Sequence, residues 1–314
     1  MSAAPQVEAA PTGAKPAPEV TPAPVRLRLP TKGKDLLALS KPRITALVVF
    51  TTASGLWMAP GHVSRTLAWL TMLGTVLVVA AANALNMYLE RDSDRFMPRT
   101  RTRPLPAGRM EPAAALWFGV VLSAISLPIL TFGVNPVCGL LAALALVSYV
   151  LLYTPMKRWT ATALLVGSVP GAIPPLIGWS AATGGVELPG VLLFGVMFLW
   201  QVPHFLAITL FRKDDYARAG IVVQPNEPGG EKNARANIIR YTVALVGVSL
   251  LFVPLGVAGR LYLVTALVLG FLFFTAALAG LRQQAGVKWA RGVFLLSLVY
   301  VTVLFGALMV DRAS

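Results

Sequence analysis

Nine apolar segments, each about long enough to cross a bilayer, constrain the fold of this chain more than any other feature. They lie near residues 43–60, 66–89, 113–132, 135–153, 162–182, 189–211, 237–257, 260–281 and 290–310. A membrane-spanning helix needs about 20 predominantly apolar residues. Inside a bilayer only helices and closed barrels satisfy their own backbone hydrogen bonds. The sequence therefore predicts an all-α polytopic membrane protein with nine transmembrane helices.

The composition agrees with this prediction. Hydrophobic residues make up 56% of the chain and charged residues 13%, against roughly 25% charge in soluble domains. The net charge of +14 does not indicate a nucleic-acid binder, because the basic residues lie between the apolar segments. The single Cys138 excludes a disulfide framework and, inside an apolar run, is predicted to be a small packing residue.

The distribution of the basic residues predicts an orientation. With the N-terminus in the cytoplasm, 24 of the 27 Lys and Arg residues fall on the cytoplasmic side, and only Arg65, Arg260 and Arg312 fall outside. Basic residues are retained on the cytoplasmic side of membrane proteins. The two long loops, 90–112 and 212–236, are then both cytoplasmic, and we expect the chemistry on that face.

The first 34 residues differ from the rest. They are rich in Ala and Pro and contain no apolar stretch, which is typical of disordered segments. We predict a disordered cytoplasmic tail at 1–34 and one membrane domain at 35–314. The tail has neither the apolar run of a signal peptide nor an Arg before Arg26, so a bacterial inner membrane is expected rather than a mitochondrial one.

Three oxygen-bearing side chains follow the second segment at intervals of four residues: Asn86, Glu90 and Asp94. On a helix they drift only about 80° and share one face. Hard oxygen ligands suit Mg²⁺, and Arg is the side chain best suited to phosphate. The arginines that follow are Arg91, Arg95, Arg99, Arg101 and Arg103. This layout predicts a diphosphate site, with a charged helix end that anchors the span as the alternative.

A second cluster lies on the sixth segment. His204 falls about two turns before the cytoplasmic end, at a depth where an ionisable group is usually functional. The alternative for His204 is a core histidine bonded to a backbone carbonyl. Asp214 and Asp215 come at the end of the segment, so two acid sets on two helix ends could clamp one diphosphate.

Two further features point to the same side and depth. Lys157 and Arg158 lie in a cytoplasmic loop, where they serve either as membrane anchors or as phosphate contacts. Pro170, Pro174 and Pro175 must kink or break the fifth segment. Because such breaks survive only against protein or a water-filled cavity, we expect a cavity beside this segment.

In combination these motifs resemble the UbiA superfamily of intramembrane prenyltransferases. The acidic motif after span two and the second acidic motif after span six carry the resemblance. The stretches 86–94, 153–158, 200–205 and 214–216 resemble the branch of that superfamily that farnesylates haem b. The similarity covers roughly residues 40–305, everything but the tail.

The resemblance implies a reaction in the lipid bilayer: haem b, farnesyl diphosphate and water give haem O and diphosphate. It implies Mg²⁺ as the cofactor and a possible contact of the chain with a haem A synthase or a terminal oxidase assembly. The implied metal ligands are Asn86, Glu90, Asp94, Asp214 and Asp215. The implied catalytic residues are Asn86, Glu90, Asp94 and His204. The implied diphosphate contacts are Arg91, Arg95, Arg99, Arg103, Lys157 and Arg158.

The chain departs from the family pattern at three places. Glu90 stands where the superfamily usually has Asp, and Ala163 stands where an Asn is expected. The second motif is Asp214-Asp215-Tyr216 instead of two Asp residues separated by three positions. Two other functions stay open: prenylation of an aromatic quinone precursor, and secondary transport, which would require a paired break in the second half of the chain.

Overall fold

The computed structural model describes residues 33–282 and 285–312, and within them the chain is helical with no β-strand. The helices are α1 Gly33–Leu39, α2 Pro42–Met58, α3 Arg65–Glu90, α4 Pro112–Pro128, α5 Pro136–Val147, α6 Thr154–Met156, α7 Ala163–Thr183, α8 Leu188–Arg218, α9 Gly230–Leu250, α10 Arg260–Leu278 and α11 Val287–Val310. The predicted tail, residues 1–34, lies outside the described residues except for the first two residues of α1.

The helices follow the nine predicted segments closely, with one clear deviation. Seven helices in the described ranges are long and apolar enough to cross a membrane, and α1 with α2 makes an eighth span bent by 53°. The predicted seventh span, 237–257, is wrong in its boundaries, because α9 begins at Gly230 and ends at Leu250. Its first turns carry Glu231, Lys232 and Arg235, so α9 is not among the apolar spans.

The fifth predicted segment forms α7, and the expected break is absent from it. Pro170, Pro174 and Pro175 all lie inside one uninterrupted helix. Neighbouring helices can hold a proline-containing helix together, and α7 packs against α2, α5 and α8. Proline has no N–H, so Pro174 and Pro175 leave the carbonyls of Pro170 and Gly171 without their usual helical donors.

Two glycines let α2 and α7 approach each other closely. A Cβ atom on Gly55 of α2 would lie 2.0 Å from the carbonyl oxygen of Pro175, and one on Gly178 of α7 would lie 2.0 Å from that of Thr52. Lipid is as apolar as a protein core, so close packing of small residues is a main source of helix association in membranes. The contact fixes α7 at the centre of the bundle.

Helix α5 ends in a π-helical segment, Ser148–Tyr153. Such segments are rare and often occur at functional sites, because they re-aim side chains. Here the segment brings Tyr149 and Tyr153 together, with ring centroids 5.4 Å apart. A Cβ atom on Gly167 of α7 would lie 2.4 Å from the Tyr153 ring, so that glycine makes room for the tyrosine.

The α2–α7 contact predicts that Gly55→Ala destabilises the protein. The added methyl group has to push two backbones apart, and overpacking of this kind costs about 1–3 kcal/mol. Gly247→Ala in α9 is the matched control, because nothing lies within 4 Å of its Cβ position. In detergent, we expect the midpoint of thermal unfolding to fall for Gly55→Ala and to stay level or rise for Gly247→Ala. Equal midpoints would show that the α2–α7 contact is not limiting.

Candidate functional site

A cavity of about 330 Å³ lies between α2, α3, α5, α7 and α8. Its interior is mainly apolar and includes Val48, Val78, Leu146 and Leu164. The cavity confirms the prediction that α7 borders one, since Pro170, Gly171 and Pro174 line it. At the opposite, polar end, which we call the mouth, the charged lining residues are Lys41, Glu90, Asp94, Arg99, Arg103 and Lys157.

All three residues of the first motif line the cavity, as the sequence predicts. The single helix assumed for them is wrong, because α3 ends at Glu90 and Asp94 lies in the 3₁₀ turn Ser93–Phe96. This turn still directs Asp94 inward, and its side chain is 1% exposed. The Thr100 hydroxyl donates to the Asp94 carbonyl at 2.8 Å and closes the turn.

Each of these three side chains accepts a hydrogen bond from a different cation. The contacts are Lys41 Nζ to Asn86 Oδ1 at 3.0 Å, Lys157 Nζ to Glu90 Oε1 at 2.6 Å and Arg103 Nη1 to Asp94 Oδ2 at 2.7 Å. Thr154 completes the group by accepting from Asn86 Nδ2 at 3.0 Å. A charge at low exposure requires such a partner, because removal from water is otherwise too costly.

Lys41 lines the cavity, although in the sequence it was counted only among the basic residues that predict the membrane orientation. It lies in the break between α1 and α2 with φ 46°, and among the described residues it is the one non-glycine residue with a positive φ. Strain of this kind costs about 1–3 kcal/mol and persists where the surroundings impose it. The following Pro42 disfavours a helical conformation at Lys41, so the sequence does indicate a break in the helix at this position.

Lys157 is held among aromatic rings as well as by Glu90. Its ammonium group lies 4.2 Å from the centroid of the Tyr153 ring. Burial lowers the pKa of Lys157, but the Glu90 carboxylate and the two neighbouring tyrosines outweigh burial and raise the pKa above its ordinary value. The Glu90 carboxylate therefore favours the charged form of Lys157 at the mouth.

Three of the six predicted diphosphate contacts line the cavity: Arg99, Arg103 and Lys157. Arg91 does not, because it donates to the Tyr88 carbonyl at 2.7 Å. Arg95 is exposed, with Asp92 3.9 Å away. These two side chains leave the cavity because the chain turns at the end of α3.

Arg158 is the third predicted contact outside the cavity. It lines a neighbouring pocket of about 220 Å³, which shares Glu90 and Lys157 with the main cavity. The Glu90–Lys157 ion pair therefore separates two spaces. Trp159 also lines the second pocket and is 74% exposed.

The structure does not bring the second acidic motif into the cavity. Asp215 accepts hydrogen bonds from Arg212 and Arg218, while Asp214 is exposed. The next residue, Tyr216, lines the cavity, and its hydroxyl accepts from Arg99 at 3.0 Å. Successive helix residues are about 100° apart, so Tyr216 and its two predecessors cannot all face the same space.

No group of three or more His, Cys, Asp or Glu side chains in the described ranges is arranged to hold a metal ion. The five-ligand set expected from the sequence is therefore not assembled here. Of that set the cavity contains the carboxylates of Glu90 and Asp94 and the amide oxygen of Asn86.

His204 also lies outside the cavity lining. Its Nδ1 is 2.7 Å from the Ser297 hydroxyl of α11, and the Ser297 hydroxyl donates to the Phe294 carbonyl at 2.6 Å. The indole of Trp200, one turn away, donates to the Ser297 carbonyl at 2.6 Å. The position of His204 matches the core alternative, but its partner is the Ser297 hydroxyl and not the expected backbone carbonyl, and this contact joins α8 to α11.

The long loops after α3 and after α8 pack against each other beside the mouth. The backbone N–H of Val222 donates to the Lys157 carbonyl at 2.8 Å. Met97 of the first loop packs with Ala219, Ile221 and Val223 of the second. The lining also contains aromatic and amide residues to which the sequence motifs assign no role: Asn83, Tyr149, Tyr153, Gln201, Phe205, Tyr216 and Gln224.

This bundle of apolar helices, with an apolar cavity and a charged mouth, is that of a multi-pass membrane protein. Residues 48–299 match the UbiA prenyltransferase family, and the chain belongs to it. The protein is thus a multi-pass membrane protein of a prenyltransferase family, as the sequence motifs predict.

Curated relatives cover nearly the whole chain. The chain is 52% identical over 284 residues to protoheme IX farnesyltransferase of Myxococcus xanthus, covering 90% of this chain and 96% of that protein. It is 53% identical over 279 residues to protoheme IX farnesyltransferase of Sorangium cellulosum, covering 84% and 99%.

Solved structures agree on the fold. A digeranylgeranylglyceryl phosphate synthase aligns with a TM-score of 0.76 at 19% identity, over 88% of this chain and 97% of that one. A UbiA homologue from Archaeoglobus fulgidus bound to GPP and Mg²⁺ aligns with a TM-score of 0.60 at 16% identity, over 87% and 99%.

The Glu90–Lys157 pair predicts strong coupling between the two residues. Lys157→Met leaves a carboxylate of low exposure unpaired and should destabilise the protein by about 3–5 kcal/mol, whereas the double variant with Glu90→Gln should recover most of that loss. Thermal unfolding in detergent without substrate measures the cycle. Arg158→Met, next to it but exposed, is the control and should change stability by less than about 0.5 kcal/mol. Additive losses in the double variant would contradict the pairing.

Proposed function

We propose that the protein transfers the farnesyl group of farnesyl diphosphate to a vinyl group of haem b with addition of water, giving haem O and diphosphate. The observation that carries the proposal is the cavity, in which a cationic mouth adjoins an apolar interior. The relatives named above, more than half identical over most of the chain, support this choice of substrates.

The charges at the mouth suit a diphosphate. Four cations and two carboxylates line it, so positive charges exceed negative ones by two. Arginine presents a planar fork of donors to phosphate oxygens, and lysine acts as a point charge. Arg99 and Lys41 are the two basic residues whose described partners are neutral, the Tyr216 hydroxyl and the Asn86 amide, so neither is neutralised by a carboxylate and both have donors left for a phosphate.

We propose Mg²⁺ as the metal at this mouth. Asn86, Glu90 and Asp94 supply hard oxygens, and Mg²⁺ in proteins takes one or two carboxylates and completes its shell with water and phosphate oxygens. The residues present fit that habit, and the A. fulgidus homologue is described with GPP and Mg²⁺. When bound, the ion neutralises negative charge that develops on the diphosphate as the allylic C–O bond breaks.

The cations at the mouth then have two successive roles. In the structure Lys41, Arg103 and Lys157 each bond one of the three candidate ligand oxygens. If those oxygens bind the metal ion, the same cations are released and can donate to the phosphate oxygens. In that position they would stabilise the negative charge that develops on the diphosphate, usually the largest catalytic contribution.

The second acidic motif needs a rearrangement before it could join such a site. Asp215 would first have to leave Arg212 and Arg218. We propose the first motif alone as the metal site in the conformation described here, and Arg99, Arg103 and Lys157 as the diphosphate contacts.

The apolar interior is the proposed site of the farnesyl chain. Val78, Leu164 and Leu206 line it and offer no nucleophile. A dry interior protects an allylic cation from premature capture by water and strengthens the electrostatic interactions at the mouth. The bilayer surrounding the bundle is the natural source of both apolar substrates.

The basic residues support a location in a bacterial inner membrane with the mouth on the cytoplasmic side, since 24 of 27 Lys and Arg residues fall on that side. The tail lies outside the described residues, and a haem A synthase or terminal oxidase assembly stays an expectation from the resemblance.

The proposal predicts a product of defined mass. Membranes containing the protein, incubated with haem b, farnesyl diphosphate and Mg²⁺, should form a haem heavier by farnesyl plus hydroxyl, and EDTA should abolish it. Glu90→Gln and Asp94→Asn should each lower the rate by about 10²–10³, typical for loss of a group that stabilises transition-state charge.

Asp92→Asn is the matched control for Asp94→Asn. Asp92 lies two residues away, its side chain is 64% exposed and it does not line the cavity. It should retain activity within about twofold, as surface substitutions usually do. Prenylation of an aromatic acid in place of haem would keep the family and refute the proposed acceptor.

A further inference from the structure

One polar side chain in the apolar part of the cavity has no role in the function proposed above. Gln201 of α8 lines the cavity and is 5% exposed. Its Nε2 donates to the carbonyls of Ser168 and Met197, both at 3.0 Å. Carbonyl oxygens only accept, so the amide nitrogen must face them and the amide orientation is fixed.

The remaining atom of this amide, Oε1, packs against Gly171 of α7, in the place that a side chain at position 171 would occupy. A Cβ atom on Gly171 of α7 would lie 2.0 Å from Oε1. Gly171 lines the cavity beside Gln201. Any larger residue at this position would displace the Gln201 carbonyl, so the two residues act as one unit.

No donor to Oε1 exists among the described residues. Some polar atoms in the described residues are fully enclosed and have no partner, and Oε1 is not one of them. Part of the Oε1 surface is therefore still accessible. Because Gln201 lines the cavity, this surface belongs to the cavity. A buried acceptor without a donor is costly, and a bound molecule with an O–H group would satisfy it.

The proposed reaction needs one such molecule. Bond formation between farnesyl C1 and the terminal vinyl carbon, with loss of diphosphate, leaves a positive charge on the carbon next to the porphyrin ring. A water oxygen must then bond to that carbon and lose one proton. In the apolar part of the cavity this water needs a hydrogen-bond partner that holds it in place.

We propose that the side-chain carbonyl of Gln201 holds the water that captures this cation, an inference that rests on the proposed function. The carbonyl accepts one water hydrogen, which directs an oxygen lone pair at the cation. As the new C–O bond forms, a water O–H bond breaks, and the proton passes to the released diphosphate. An amide carbonyl is too weak a base to take the proton. The catalytic role of Gln201 is therefore to hold and orient the reacting water.

Without the held water the cation has another exit. It can lose a proton from the adjacent carbon, which gives a farnesylated haem that is lighter than the hydroxylated product by one water molecule. The ratio of the two products therefore reports on Gln201 separately from the farnesyl transfer itself.

The test uses the full chain in membranes with haem b, farnesyl diphosphate and Mg²⁺, and mass spectrometry of the haems formed. Gln201→Met removes the acceptor at similar volume. The ratio of hydroxylated to dehydrated product should fall by about tenfold or more, which corresponds to the loss of about one hydrogen bond. The total of the two farnesylated haems should fall less than this ratio.

Gly171→Ala tests the same unit with Gln201 intact. Its methyl group displaces Oε1, so the product ratio should shift in the same direction. Gly195→Ala on α8 is the control, since its Cβ would meet Val248 at an ordinary 3.5 Å and Gly195 does not line the cavity. This control should keep the wild-type ratio.

Three outcomes would overturn the inference. An unchanged product ratio in Gln201→Met and Gly171→Ala, beside a wild-type hydroxylated product, refutes the role of Gln201 and leaves the proposed function intact. A raised KM for haem b with an unchanged ratio would assign Gln201 to acceptor binding instead. Absence of any farnesylated haem from the wild-type protein would refute the proposed function and this inference together.

Discussion

The burial of charge inside a membrane protein is the constraint on which the rest of this structure depends. Carboxylates at low exposure persist only with partners, and here Glu90 and Asp94 each have one cation. These cations come from separate parts of the chain, namely the loop after α6 and the loop 90–112. The ion pairs therefore position the loops around the mouth as well as neutralising the two carboxylates. The same requirement explains the strained backbone of Lys41, whose ammonium group reaches Asn86.

Most of the fold could be predicted from sequence because hydrocarbon thickness sets the length of each helix. The predicted segments 66–89 and 260–281 match α3 and α10 within a few residues. The predicted boundaries and breaks were wrong where the thickness of the bilayer does not determine the helix. Helix α9 starts seven residues early, after Gly229 in a left-handed conformation, because charged residues at a membrane surface can continue a helix. In α7 tertiary packing overrides three prolines, which no local rule anticipates.

The candidate site divides in the same way. A four-residue spacing within one helix is a local property, so Asn86 and Glu90 could be placed together from sequence. Lys41 joins them only through tertiary structure, 45 residues away along the chain. The prediction for the second motif was wrong because it did not consider which face of α8 borders the cavity. That face carries Gln201, Phe205 and Tyr216, so Asp214 and Asp215 point away from the cavity. The position of His204 follows from its contact with α11, a helix that no motif links to it.

The cavity has to meet two opposing demands. An allylic cation survives only where water is excluded, yet the proposed reaction consumes a water molecule in its last bond-forming step. Apolar lining alone satisfies the first demand, and a general increase in polarity would satisfy the second only by defeating the first. A single acceptor resolves the conflict if it cannot move. Gln201 meets this condition because two backbone carbonyls fix its nitrogen and a glycine gives its oxygen room. Rigid backbone, not the number of polar groups, then decides where in the cavity water can act.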